Sequence, residues 1–320
     1  MQINLLAGSS PHIKNTTKTN KIMLDVLIAL TPAALASIYF FGIDALLVII
    51  VTSLSCIGSE FIFNKILKKE STLSDLSALV TGVLLAFNLP PEIPLWIAII
   101  GGIFAIIVAK QLFGGLGHNF INPALAARAF MMASWPVEMT SWKNPSSKLD
   151  SVTSATPLEL IKSNGTSGDT LPNIMDLFTG NVGGCIGETS AFALLIGAAY
   201  LIIKKVISID IPISYIGTVA LLTWILGGEV LFSGNFIYHI FAGGLILGAF
   251  FMATDYTTSP VTKNGRIIMG VGCGLLTVII RLYGGYPEGV SYSILLMNLV
   301  VPLIDRYLIP KSFGEVKKHA

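Results

Sequence analysis

The chain has 320 residues, 53% of them hydrophobic and only 12% charged, with a net charge of +2 and a mean hydropathy of +0.76. A soluble domain carries roughly 25% charged residues, so this composition excludes one and identifies an integral membrane protein. The basic residues are scattered among loops, which excludes a nucleic-acid surface, and Cys56, Cys185 and Cys273 fall in separate segments without CxxC spacing, which excludes a disulfide framework or a cluster ligand set.

In chain order, residues 1–20 are a polar segment with Lys14 and Lys18 ahead of the first apolar run. That run begins near Ile22 and is long enough to stay in a membrane, so it is not a cleavable signal peptide. Ten spans are predicted, at about 22–41, 44–64, 73–89, 93–112, 119–135, 188–204, 211–227, 235–253, 266–282 and 289–308. Several fall short of the roughly 20 residues of a full span, so broken or tilted segments are expected. The fold class is therefore an all-α membrane protein of about ten transmembrane helices with a long extracytoplasmic loop. Its parts are a cytoplasmic segment 1–20, a five-helix unit 21–135, the loop 136–187, a second five-helix unit 188–309 and a cytoplasmic tail 310–320.

Lysine and arginine set the orientation. With the amino terminus inside, the inner flanks hold Lys14, Lys18, Lys21, Lys65, Lys68, Lys69, Lys110, Lys204, Lys205, Lys263, Arg266, Arg306, Lys311, Lys317 and Lys318, against Lys143, Lys148, Lys162 and Arg281 outside. Both termini are then cytoplasmic. The halves also repeat an order: Thr81–Phe87, a proline turn, a glycine-rich span and Gly114-Gly115 recur as Gly244–Phe250, a turn with Pro260, a span and Gly284-Gly285. Units with an odd number of spans must be inverted relative to one another, and inverted repeats place sites where the units meet.

The loop 136–187 carries Asp150-Ser151-Val152-Thr153-Ser154-Ala155-Thr156-Pro157. The pattern Asp, two residues, Thr, a small residue, Ala, Thr resembles the signal for phosphoester-linked FMN, with Asp150 and Thr153 as its outer positions, Ser154 and Ala155 as small neighbours and Thr156 as the acceptor hydroxyl. The same residues also read as a helix start: Thr156 as N-cap, Pro157 at the first helical position and Glu159 completing a capping box. A redox group needs definite placement, so the loop is expected to fold back on the membrane or pack against a partner, with Trp135, Met139 and Trp142 as contacts or as an interfacial aromatic belt.

Other segments can carry chemistry. Gly114–Ala124 opens the fifth span with three glycines and then Asn119, Asn122 and Pro123; a helix starting there has amides that can hold an anion or a polar ring edge, and the same residues make a close-packed turn. His118 reads as a proton carrier or, as the plainer expectation, a hydrogen-bonded structural residue at the inner interface. Arg128 lies mid-span, where a charge requires a partner or ligand; flavin phosphate and an ion pair between the units are the two readings. Asp255 with Thr257 and Thr258 suits a flavin edge, a sodium ion or a capped helix end. Glu60, Asp75 and Asp305 are further ionisable residues near span ends, and Asp25 is expected to pair with Lys21 one helical turn away.

Three segments together, GGLGHNFINPALAARAF (114–130), DSVTSATPLE (150–159) and FMATDYTTSPVT (251–262), resemble the family formed by the D subunit of the Rnf complex and the B subunit of the sodium-pumping NADH:quinone oxidoreductase, and the short amino terminus favours the former. The resemblance implies an electron-relay subunit of an ion-translocating ferredoxin:NAD oxidoreductase, without a complete active site of its own. It implies FMN on Thr156, attached by a flavin transferase, and a noncovalent riboflavin within the membrane, with Ser154, Ala155, Asn119, Asn122, Arg128, Asp255 and Thr258 as the candidate cofactor contacts. It further implies the remaining members of the Rnf complex (A, B, C, E and especially the flavinylated G) as partners, sodium or protons as the translocated ion, and an inner-membrane location with Thr156 outside. The one departure is Ser154 where glycine is commoner. A small-solute transporter or channel of inverted-repeat fold is the competing class.

Overall fold

The structure, a computed structural model, describes residues 18–69, 72–143, 145, 155–164, 171–188, 190–228 and 230–308. Among these residues every regular element is a helix. An apolar chain surrounded by lipid must satisfy its backbone internally, and the helix does so segment by segment.

α1 (Thr19–Phe41) and α2 (Ile43–Ile66) are joined by Gly42 alone, at φ +72°. Only glycine takes this left-handed geometry without a Cβ clash, so the reversal is tight. A short 3₁₀ turn (Leu73–Asp75) leads into α3 (Ser77–Phe87). There Asp75 accepts hydrogen bonds from the Ser77 N–H at 2.8 Å and its hydroxyl at 2.5 Å. α4 (Leu95–Ile103) continues as a π-helix over Phe104–Gln111. α5 (Pro123–Ser134) is followed directly by the single turn α6 (Pro136–Met139).

α7 (Pro157–Asn164) and α8 (Ile174–Thr179) lie in the segment expected as the outer loop. The second half comprises α9 (Ala191–Ile203), α10 (Asp210–Leu226), α11 (Phe236–Phe241), α12 (Leu245–Leu247) running into a π-helix over Gly248–Met252, α13 (Lys263–Tyr283) and α14 (Val290–Tyr307).

Among the described residues three helices, α1, α2 and α13, are long and apolar enough to cross a membrane, and α3, α4 with its π-helical continuation, α9 and α10 are shorter apolar helices. Three predicted spans differ from what the described residues contain, the third, 73–89, being a 3₁₀ turn and then α3, broken at Leu76 with φ +62°. The fifth is predicted from residue 119, but its helix starts only at Pro123, because Gly114, Gly115 and Gly117 turn the chain at positive φ before it. The eighth, 235–253, is not one helix: it breaks between α11 and α12, where Gly243 takes φ +73°.

α2 packs on α3 and α4, α10 on α13, α1 on α9 and α5 on α14. Small residues set these approaches. Gly197 of α9 presses its backbone against the Ala29 carbonyl of α1, and Gly270 and Gly274 of α13 face Ser214 and Thr218 of α10. Between apolar helices in an apolar solvent, this close backbone contact supplies attraction that the hydrophobic effect cannot. Outward-facing Leu35, Tyr39 and Leu54 are exposed and apolar, as lipid-facing positions require.

Candidate functional site

Thr156 starts α7. Its backbone carbonyl accepts the first helical hydrogen bond from the Leu160 N–H at 3.0 Å. Its hydroxyl accepts from the Glu159 N–H at 3.2 Å while the Glu159 carboxylate accepts from the Thr156 N–H at 2.8 Å, which is the reciprocal capping box the sequence pattern describes. The residue is only 5% exposed. Leu158 anchors the helix in a small apolar cluster with Leu177, Val182, Tyr238 and Ala242. Ala155 is exposed, and Asp150, Thr153 and Ser154 lie outside the described residues. Met139 and Trp142 are buried, so the start of the loop folds back onto the helices; Trp135 packs edge-on against Trp96 and Phe130 at 5.3 and 5.9 Å.

Thr156 lines two adjoining hollows. One has aromatic walls, Trp142, Tyr286 and Tyr292, with Arg128, Glu159, Glu288 and Ser291 as its polar lining. The Tyr286 and Tyr292 rings stack at 5.4 Å. The other is bounded by Thr156, Leu158, Gly183, Gly184, Glu188, Gly243 and Glu288.

Arg128, on α5, is 4% exposed and joins the two hollows to the core. Its Nη1 donates to Asn88 Oδ1 at 2.8 Å and to the Ser291 hydroxyl at 3.0 Å. Its Nη2 donates to Cys185 Sγ at 3.5 Å and to the Glu288 carboxylate, and Glu188 Oε1 lies 3.6 Å from Nη1. Both terminal nitrogens of the fork are thereby occupied. Of the two readings of Arg128, the structure contains the ion pair between the halves, and the partners that the sequence left unnamed are Glu188 and Glu288. Arg281 lies beside them but donates to backbone carbonyls, those of Glu288 at 3.0 Å, His239 at 2.6 Å and Ala242 at 3.3 Å.

A separate hollow brings together three further predicted contacts, Asn119, Asn122 and Asp255, while Thr258 lies outside its lining. It encloses about 750 Å³, mouth included, and is lined by Asn119, Asn122, Asp255, Thr257 and Lys110 among apolar side chains of α1, α3 and α9. Asn119 Nδ2 donates to Thr257 Oγ1 at 3.0 Å, and Asp255 Oδ2 accepts from Thr257 and Thr258 at 2.9 and 3.3 Å. Burial of its carboxyl raises the Asp255 pKa above the ordinary 3.8, a shift those hydrogen bonds oppose.

Asn122 corrects one expectation. Its side-chain oxygen accepts from the Ala124 and Leu125 amides at 3.0 and 3.3 Å and its Nδ2 donates to the Met252 carbonyl, so the helix start is closed by its own cap rather than open to an anion.

Other residues also depart from expectation. His118 is exposed and forms no side-chain hydrogen bond among the described residues, so it is not the hydrogen-bonded structural histidine foreseen. Asp25 accepts from the Tyr200 hydroxyl of α9 at 2.8 Å instead of pairing with Lys21, because α9 packs directly on that face of α1. Glu60 forms a buried network: Lys110 Nζ lies 3.2 Å from it, and Gln111 and Thr72 donate to it at 2.9 and 2.6 Å. Asp305 accepts from the Val261 N–H at 3.1 Å.

The hollows at Thr156 suit a flavin in their donor set. The Trp142 indole N–H is buried without a hydrogen-bond partner, a donor of the kind that a pyrimidine carbonyl satisfies.

Comparison with known proteins returns one consistent picture. The model of the NQR2, RnfD, RnfE family matches residues 6–314. The chain is 52% identical to the D subunit of the Na(+)-translocating ferredoxin:NAD(+) oxidoreductase complex of Acetobacterium woodii, over 100% of this chain and 99% of that protein. It is 48% identical to the D subunit of the proton-translocating ferredoxin:NAD(+) oxidoreductase complex of Clostridium ljungdahlii, over 96% of this chain and 95% of the relative. It is also 37% identical to the D subunit of the ion-translocating oxidoreductase complex of Escherichia coli, over 97% of this chain and 98% of the relative.

Proposed function

The chain belongs to the NQR2, RnfD, RnfE family, and we propose that it serves as the D subunit of an ion-translocating ferredoxin:NAD oxidoreductase, relaying electrons through FMN bound covalently at Thr156. The observation that carries this reading is the position of Thr156, a hydroxyl at a helix start that lines two hollows beside Arg128, Glu188 and Glu288. A helix amino terminus favours a phosphoester there. Bound FMN would supply the electron-transfer chemistry. The chain's own residues would hold and shelter it, with Tyr286 and Tyr292 as walls and the Trp142 indole N–H as a hydrogen-bond donor.

The rest of the proposal follows from that assignment. The chain is a multi-pass inner-membrane protein with cytoplasmic termini and Thr156 outside, where a flavin transferase modifies it and the flavinylated partner protein attaches. Its ten spans form two inverted units, a reading supported by α1 packing on α9 and α5 on α14. The hollow lined by Asn119, Asn122 and Asp255, whose carboxylate accepts from Thr258, would take a noncovalent riboflavin. Sodium or protons move as electrons pass.

The test is in-gel flavin fluorescence of the denatured chain coexpressed with a flavin transferase, for the unchanged protein and Thr156→Val. A fluorescent band lost in the variant is expected. No band in either overturns the relay and promotes a solute transporter, a reading that the discontinuous segment between α11 and α12 would then support.

A further inference from the structure

We propose that Glu188 and Glu288 hold one monovalent cation between them, a sodium ion or a proton, in the hollow that Thr156 also lines. One ligand atom from each of Cys185, Glu188 and Glu288 lies within 4.8 Å of the others. Glu188 is 7% exposed, and Oε1 of each glutamate is buried without a hydrogen-bond partner. Two carboxylates this close, away from water, do not both remain ionised without a compensating charge.

The surrounding charges do not fully supply one. Arg128 from α5 contacts both carboxylates, so a single guanidinium serves two anions. Arg281 from α13 has the right charge, but its N–H groups are directed to the carbonyls of Glu288, His239 and Ala242. His239 from α11 is buried with both ring nitrogens unpartnered, and the Cys185 thiol donates to the Asn88 carbonyl at 3.4 Å. Glu159 of α7, at the edge of the neighbouring hollow, adds another carboxylate rather than a cation.

The lining of the hollow suits a small hard cation. Its walls include the backbone of Gly183, Gly184 and Gly243 and the Thr156 side chain, so oxygen ligands other than the carboxylates are at hand. Glycine also gives the carboxylate its room: a Cβ on Gly244 would stand 2.7 Å from Glu188 Oε1. The site stands on these residues alone and does not require a flavin on Thr156.

The test uses the full chain in detergent, expressed without a flavin transferase as flavin-free protein and with one as flavin-loaded protein, each compared with Glu188→Gln, Glu288→Gln and Gly244→Ala. Gly244→Ala crowds Glu188 without removing a charge, and so guards against a misfolded glutamine variant. Two quantities are measured: equilibrium binding of radioactive sodium at alkaline pH, and the protonated-carboxyl stretch in the infrared spectrum at neutral pH. In the sodium case each variant loses one bound equivalent or binds it about tenfold or more weakly. In the proton case sodium binding is unchanged, but the carboxyl band disappears in Glu188→Gln or Glu288→Gln. Variants with the unchanged protein's sodium binding and the same carboxyl band overturn the site. Either result in the flavin-free chain is independent of whether Thr156 carries flavin.

Discussion

Arg128 and Glu288 stand 160 positions apart in the chain, yet their side chains form an ion pair between α5 and the turn that precedes α14. Replacing Arg128 with Met leaves Glu188 and Glu288 facing each other without their cation. Removing one partner of a buried pair costs about 3–5 kcal/mol, because the other charge stays buried. Thermal unfolding in detergent, followed by tryptophan fluorescence, is expected to show a large drop for Arg128→Met. Glu288→Gln, which keeps an acceptor for the guanidinium, should fall less.

Thr156 has two separable duties, and three substitutions divide them. Thr156→Ser retains both the hydroxyl and the cap, so flavin fluorescence and stability should both survive. Thr156→Asn retains the cap but offers no hydroxyl for a phosphoester: the fluorescent band should vanish while the melting temperature holds. Thr156→Val loses the band and the cap together, the latter worth about 1 kcal/mol. A fluorescent Thr156→Asn protein would move the attachment to another residue.

Asp255 predicts a pH dependence. Its carboxyl has a folded pKa above the ordinary 3.8 because burial disfavours the anion. Its contribution to stability is therefore fully present below pH 3.8 and is lost as pH rises through the higher folded value. Asp255→Asn should consequently gain stability on the unchanged protein at neutral pH, with the advantage shrinking on acidification. Denaturation midpoints measured across that range check the direction, and an advantage that grows toward low pH would contradict it.

Gly197 and Gly217 make a matched pair. A Cβ at Gly197 collides with the Ala29 carbonyl, whereas a Cβ at Gly217 meets nothing within 4 Å. Gly197→Ala should push α9 from α1 and cost about 1–3 kcal/mol, the usual penalty for overpacking. Gly217→Ala, inside α10, should be neutral or stabilising by up to about 1 kcal/mol. Thermal scans of the two variants side by side distinguish them.

What can be read from the sequence is local. The Thr156-Pro157-Leu158-Glu159 pattern specifies its capping box within four residues, and the long apolar runs of α1, α2 and α13 mark themselves. Arg128 signals that it needs a partner, since a mid-span charge does, but not which one: Glu188 and Glu288 sit in glycine-rich turns, where an acidic residue ordinarily faces water. Their burial depends on how the halves close, and no periodicity encodes that. Asp25 shows the same limit in reverse, because a plausible neighbour in sequence loses to Tyr200 arriving from another helix. The break before α12 is equally hard to see in the sequence, since the run from Phe236 to Met252 remains mostly apolar across Gly243 and Gly244.

The π-helix over Phe104–Gln111 is spaced differently from its neighbours: the Leu112 N–H reaches the Ile107 carbonyl and the Gly115 N–H the Lys110 carbonyl, five residues back instead of four. One surplus residue in a helix rotates everything beyond it by about 100° around the axis. That rotation sets the bearing of Lys110 and Gln111 toward Glu60. Deleting a single residue before Lys110 would leave the segment as greasy and nearly as long as before, while swinging both polar groups off their partner. The helix thus works like a dial with discrete stops, on which a chain can change which polar groups meet without changing how it sits among lipids.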